Sequence, residues 1–230
     1  MARAFADLEN TGGTPSATRI GGSVGKAATA YRTLTGEWPE AANIEDDATF
    51  DRHILAAIIA VASVESGDLT ARTGLTEAEL DRIFSDVFAT RVAGEGRPCA
   101  PTPVDADEME IVRDLLLANR SSQGDCGRWL AAMMARRALE PNHLWEDLGL
   151  RERSELTRLI ARHFAPLAAR NDKNMRWKRF IYRMMCEEDG LVMCASPVCS
   201  NCADHALCFG VETGTSRVLS NDEISTPPGV

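Results

Sequence analysis

The sequence predicts an all-α fold, a helical bundle that ends in an irregular, cysteine-rich loop. Three observations predict it. Apolar residues recur at helical spacing from Asp51 to Asp189, with no sustained two-residue alternation that would mark strands. Residues that start helices stand where those segments begin, Thr76 with Glu79 and Asp105 with Glu108, each pair spaced as a capping box. Four of the seven cysteines fall between positions 194 and 208, too close together for a regular core element.

The elements follow in order. Residues 1–48, rich in Gly, Ala, Thr and Pro, predict a mostly flexible N-terminal segment with one short helix around Gly25–Leu34. Residues 49–211 form the helical domain. Asp51–Glu65 is apolar around most of its circumference, as a buried helix requires. Thr76 opens a second helix whose Leu80, Ile83, Phe84, Val87 and Phe88 keep one face. Gly94–Pro103 reads as a loop, and Asp105 caps a third helix through Asn119. Gly127–Leu139 is a fourth, stopped by Pro141. A short element at His143–Leu148 closes on Gly149. Ser154 begins a fifth major helix, with Leu156, Leu159, Ile160, His163, Phe164 and Leu167 on one stripe and Pro166 bending or ending it. Asn174–Asp189 is the last long helix; Trp177, Phe180, Ile181, Met184 and Met185 face inward and Gly190 stops it. Residues 212–230, with Ser-Thr-Pro-Pro-Gly, predict a disordered tail.

Composition narrows the class. With 44% hydrophobic and 26% charged residues, the chain is an ordinary globular protein. The longest apolar stretch, Ile54–Val64, is far short of the roughly 20 residues that span a membrane. Met1–Gly13 holds no apolar run of a signal peptide. These features predict a cytoplasmic protein without a membrane partner. In that compartment thiols stay reduced, so seven cysteines argue for metal ligation over a disulfide framework.

The clustered cysteines read Cys194, Cys199, Cys202 and Cys208, a C-x4-C-x2-C-x5-C run. Four soft thiolates on short connections suit an iron–sulfur cluster. Structural zinc sites generally pair two short knuckles across a longer loop. Here a single C-x2-C knuckle has lone cysteines on either side, which favours iron–sulfur over zinc.

The net charge of −9 hides an uneven distribution. Arg151–Arg183 carries ten Arg or Lys against three acids, about +7, leaving about −16 on the rest. Such a strip is either a solvated helical face or a surface for an anion or acidic partner. Nucleic acid is a poor partner. Ala56–Phe88 reads as a possible helix-turn-helix through the cadence of Leu69-Thr-Ala-Arg-Thr-Gly-Leu-Thr76, but its second helix carries Glu77, Glu79, Asp81 and Asp86 against Arg82 alone. Phosphate repels such a helix, so the segment reads as a packing unit. Arg19–Ala27 fails as a phosphate-binding loop because Ile20 and Ala27 replace required residues. An iron–sulfur helix-hairpin-helix DNA repair enzyme is the alternative, since its C-x6-C-x2-C-x5-C loop matches the last three cysteines. The Arg19–Ala27 segment is only loosely similar to that family's hairpin, and no matching Lys and Asp pair follows it.

Several blocks in the last third carry a closer resemblance. They are Pro141-Asn-His-Leu-Trp-Glu-Asp-Leu-Gly-Leu150, Arg162-His-Phe-Ala-Pro-Leu167, Asn174-Met-Arg-Trp-Lys-Arg-Phe-Ile-Tyr-Arg183, and the cysteine run through Cys208-Phe-Gly210. In these the chain resembles the NifQ family, with Gly74-Leu-Thr as a weaker match upstream. The resemblance implies a carrier, not an enzyme: a protein that binds an iron–sulfur cluster containing molybdenum and donates the metal for nitrogenase iron–molybdenum cofactor biosynthesis. It implies as partners the NifEN scaffold, NifH and molybdate or another molybdenum source. Cys194, Cys199, Cys202 and Cys208 are the expected cluster ligands. Cys186, the nearest spare thiol, and His143, in the Asn-His-Leu-Trp block, are candidate molybdenum ligands. A buried small hydrophobe and a helix cap are their respective structural alternatives.

Overall fold

Why the chain closes around its second helix is clear from that helix's composition. In a computed structural model that describes residues 25–94, 105–188, 190 and 199–220, α2 runs from Asp47 to Val64. Ile54 through Ala62 are all buried, so every face meets other protein. Each fully buried Leu or Ile there contributes about 1.5–3 kcal/mol over an exposed one. Asp46 caps the helix, its Oδ1 accepting from the Ala48 and Thr49 amides at 2.9 Å. The observed start therefore lies one turn earlier than apolar spacing alone places it.

Against α2 pack α1 (Lys26–Thr35), α3 (Leu69–Thr73) and α6 (Cys126–Ala138); α4 (Glu77–Ile83) follows α3, and α5 (Ala106–Ala118) packs on α6. Then come α7 (Leu144–Asp147), α8 (Arg153–His163), α9 (Ala165–Arg170), α10 (Trp177–Glu188) and α11 (His205–Phe209). The described residues contain no strand, and the fold is all-α. None of the described helices is long and apolar enough to cross a membrane.

The Thr76–Glu79 capping box forms as expected: the Thr76 amide donates to Glu79 Oε2 at 2.9 Å, and the Glu79 amide to Thr76 Oγ1 at 3.3 Å. Past α4 the chain widens into a π-helical turn at Phe84–Phe88, which buries both phenylalanines. Asp105 caps α5, but Glu108 does not complete a box; its carboxylate accepts instead from the Tyr182 hydroxyl of α10. Pro166 divides one expected helix into two: α8 ends at His163, and the proline sits in the first turn of α9, where no amide is needed.

Two expectations at the ends of the domain are corrected. Of the supposedly flexible residues 1–48, those from 25 onward are structured: Tyr31 and Leu34 of α1 are buried against α2. The short helix expected around Gly25–Leu34 is present as α1, one residue later at each end. Of the tail 212–230, residues 212–220 lie against the core, with Val218 fully buried. Residues 1–24 and 221–230, the stretch 95–104 with Cys99, and 191–198 with Cys194 lie outside the described residues.

A buried ionic network fastens that C-terminal strap. Arg137 of α6, fully buried, pairs with Glu65 through both terminal nitrogens at 2.6 and 2.8 Å and donates Nε to the Asp147 carbonyl at 2.7 Å. Arg217 adds a contact to Glu65 at 2.7 Å and one to Asp147 at 3.5 Å. Lys178 of α10 reaches the same Asp147 at 2.7 Å. Burial pushes the Glu65 carboxyl up, but the guanidiniums of Arg137, Arg217 and Arg72 outweigh it and hold the group below the usual carboxylate range.

Candidate metal-binding site

The cysteine segment takes its position from the start of α10. The sequence predicts that helix from Asn174, but Asn174 has φ +54° and the regular helix begins at Trp177. Asn171 holds the intervening turn, its side chain donating to the Met175 carbonyl at 2.9 Å and accepting from the Met175 amide at 2.8 Å. The late start leaves the Arg176 amide outside the helix, where it donates to the carbonyl of Cys208 at 2.8 Å. The Arg176 guanidinium continues the grip, with Nε on the Gly210 carbonyl at 3.1 Å and a terminal nitrogen on the Val211 carbonyl at 2.9 Å. One residue of the Asn174–Arg183 block thus clamps three carbonyls at the end of the cysteine run.

Within the run, Cys199 opens a 3-10 turn through Asn201, and the Cys202 amide donates to the Cys199 carbonyl at 3.1 Å. The His205 amide then bonds the Cys202 carbonyl at 3.1 Å, and α11 carries Cys208 in its last turn. Cys199, Cys202 and Cys208 are each half-buried and none forms a disulfide. Successive backbone turns keep these three thiols on one short stretch, as chelation of a small thiophilic cluster requires. The donor set therefore fits such a group. Cys194, the fourth predicted ligand, lies outside the described residues.

Beside α11 lies a cavity of about 750 Å³ between the start of α7 and one face of α10. His143, Glu146, Arg176, Lys178, Arg179, Tyr182, Leu207 and Glu212 line it. His143 takes the N-cap position of α7, where its amide donates to Glu146 Oε2 at 3.1 Å, and its Nδ1 lies 3.7 Å from Glu212. It is therefore both the helix cap and a cavity-lining imidazole. Leu207, the neighbour of Cys208, shares that wall. Cys186, half-buried near the end of α10, is not among the described lining residues.

The basic strip resolves into individual pairs. Arg151 meets Glu155, Arg153 meets Glu212 at 3.4 Å, Arg158 meets Asp47 at 3.4 Å, and Arg162 meets Asp51 at 2.8 Å. Lys178 is committed to Asp147 and the Glu140 carbonyl; burial draws its ammonium below the usual lysine range, and Asp147 offsets only part of this. Arg179 differs from these, since no described group pairs with it and it faces the cavity. Sequence reasoning missed Tyr182 and Glu212 as cavity residues. Tyr182 was present within the Asn174–Arg183 block, and Glu212 follows the run's last glycine by two positions.

Helices that end in a thiol-rich segment, clamped by a basic residue beside a polar cavity, define an all-α protein with a C-terminal cysteine site. Within that class the chain belongs to the NifQ family, whose sequence model matches residues 54–210. It is 38% identical over 190 residues to the "Protein NifQ homolog" of Sinorhizobium fredii, covering 79% of this chain and 80% of that one. It is 41% identical over 157 residues to "Protein NifQ" of Rhodobacter capsulatus, covering 68% and 86%. Against "Protein NifQ" of Azotobacter vinelandii the identity is 46% over 106 residues, 46% of this chain and 54% of the relative. No solved structure matches the chain. The family is one of nitrogen fixation, and the match gives no support to the DNA-repair alternative.

Proposed function

We propose that this chain is a metallocluster carrier that donates molybdenum for nitrogenase iron–molybdenum cofactor biosynthesis, and not an enzyme. One observation carries this reading: the C-x4-C-x2-C-x5-C run, in a chain of the NifQ family, is fixed at Cys208 by the Arg176 clamp. Cys194, Cys199, Cys202 and Cys208 hold an iron–sulfur cluster, and molybdenum is cargo on it. The cavity next to Cys208 favours His143 over Cys186 as the protein donor to molybdenum, because His143 lines it beside Leu207. Arg179, unpaired among the described residues, supplies a positive charge for molybdate or for an acidic face of the receiving protein. NifEN and NifH are the receiving machinery in this reading, and neither nucleic acid nor membrane takes part.

The test is elemental analysis of anaerobically purified protein with electron paramagnetic resonance. Iron and acid-labile sulfide in cluster proportion, with molybdenum, are expected. Stoichiometric zinc without sulfide would replace this reading with a structural zinc site.

A further inference from the structure

Asp51 of α2, Cys126 at the first position of α6 and His163 at the last of α8 form a second group of metal-ligating atoms, apart from the cysteine run. A carboxylate oxygen, the thiol sulfur and an imidazole nitrogen all lie within 4.8 Å of one another. His163 is buried, and Asp51 and Cys126 are half-buried, so the group is shielded without being sealed.

Asp51 and His163 are held from behind. Arg162 binds both oxygens of Asp51, Nε to Oδ1 at 2.8 Å and a terminal nitrogen to Oδ2 at 2.9 Å. His163 contacts Asp51 Oδ1 through Nε2 at 2.9 Å and Ser122 Oγ through Nδ1 at 2.8 Å. The loop bearing Ser122 is tied to the same helix end, the Ser121 amide donating to the His163 carbonyl at 2.8 Å. Gly127 lets that loop approach α6, since a Cβ there would stand 2.4 Å from Ser122 Oγ. A hydroxyl both donates and accepts. Ser122 can therefore accept from Nδ1–H and leave a lone pair on Nε2, the outer-shell arrangement that orients a metal-binding histidine.

We propose that Asp51, Cys126 and His163 form a binding site for a single borderline divalent metal ion, zinc in class. A thiolate, an imidazole and a carboxylate suit such ions; hard magnesium and calcium prefer oxygen alone. Three protein ligands leave a fourth position for water or a further ligand. Burial, and after it the charge of Asp51, push the metal-free thiol up to about 12, so it is protonated until the metal arrives. Binding then releases that proton to solvent as the sulfur becomes a ligand. Arg162 opposes the incoming charge, but Asp47 shares its guanidinium and the new thiolate adds a second anion beside Asp51.

The site is independent of the cluster-carrier reading, and the test keeps the two apart. In the full-length chain, Cys194, Cys199, Cys202 and Cys208 are all replaced by Ser, and cobalt(II) is titrated anaerobically as the probe. One equivalent with a thiolate-to-cobalt charge-transfer band is expected. Cys126→Ser should abolish the band. Ser122→Ala, which leaves all three ligands in place, should weaken binding about 10–100-fold. Absence of cobalt binding, or a band that survives Cys126→Ser, overturns the proposal. If circular dichroism shows the quadruple variant unfolded, zinc is counted on the native iron-loaded chain. There Cys126→Ser should remove one equivalent without changing iron, and an unchanged zinc count overturns the proposal equally.

Discussion

Arg217 meets Glu65 at 2.7 Å, which ties the strap behind the last cysteine to the C-terminal end of α2. The same carboxylate neutralises the fully buried Arg137. Order around Cys208 is thus linked to a charge network in the core, with Arg176 gripping one side of the cysteine and Arg217 anchoring the chain beyond it. Glu65→Gln leaves Arg137 buried without its counter-charge and should cost about 3–5 kcal/mol. Arg217→Ala removes a less buried partner and should cost about 1.5–3 kcal/mol. Urea denaturation measures both, and limited proteolysis of Arg217→Ala should show faster cutting within 211–220. Equal stability of Glu65→Gln and the native chain would mean the network carries none of the fold.

Acid should unfold the chain through the same groups. Burial raises Glu65, Glu155 and Asp51, yet Arg137, His53 with Arg151, and His163 with Arg162 respectively outweigh it and lower all three. The folded chain then binds fewer protons than the unfolded one around the ordinary carboxylate pKa of about 4. The stability these groups supply is complete above that value and is lost as pH falls through their lowered folded values. A titration followed by circular dichroism should show the native chain losing stability in that window. Glu65→Gln, less stable at neutral pH, should show a shallower acid slope.

Much of the architecture was legible because it rests on local rules. Apolar spacing marks α2, α8 and α10, and Thr76–Glu79 caps α4 as its residue types dictate. The rules failed where a distant partner decided the outcome. Glu108 left its capping role for Tyr182, and Arg176, just before α10, gives its amide and guanidinium to the remote carbonyls of Cys208, Gly210 and Val211. Neither distant contact leaves a periodic trace. The strap at 212–220 reads as disorder from composition, since its order comes from Arg217 and Val218 meeting a core assembled elsewhere. At the site, spacing exposed the four clustered cysteines, whereas the Asp51, Cys126 and His163 group joins three remote positions. Sequence alone cannot show that convergence.

Gly149 is a point where one methyl group should matter. It turns the chain out of α7 at φ +71°, and a Cβ there would lie 2.5 Å from Val61 Cγ2 and 2.9 Å from the Ala57 carbonyl of α2. Gly36 shares the left-handed conformation at φ +85°, with nothing within 4 Å. Gly36→Ala should cost about 1–2 kcal/mol from backbone strain. Gly149→Ala should cost about 1–3 kcal/mol more from overpacking. Equal losses in thermal denaturation would show that α7 can move away from α2.

The last prediction separates the cluster ligands from the molybdenum donor and both from bystanders. Cys194→Ala, Cys199→Ala, Cys202→Ala and Cys208→Ala should each lower bound iron sharply, whereas Cys99→Ala and Cys126→Ala should leave it unchanged. Arg176→Ala removes two guanidinium contacts but keeps the backbone bond to Cys208, so iron should bind and be lost faster to a chelator. His143→Ala should keep its iron and lose molybdenum, because His143 lines the cavity together with Leu207, while no contact joins it to Cys199, Cys202 or Cys208 among the described residues. Cys186→Ala should keep both metals. Loss of molybdenum from Cys186→Ala, with His143→Ala unaffected, would exchange the two assignments. In the cell, a donor is needed most when its metal is scarce. A deletion strain should fix nitrogen poorly at low molybdate and recover as molybdate is raised, and Cys208→Ala should reproduce the deletion. Normal fixation by the deletion strain at every molybdate level would reject donation and leave the cysteine site without this role.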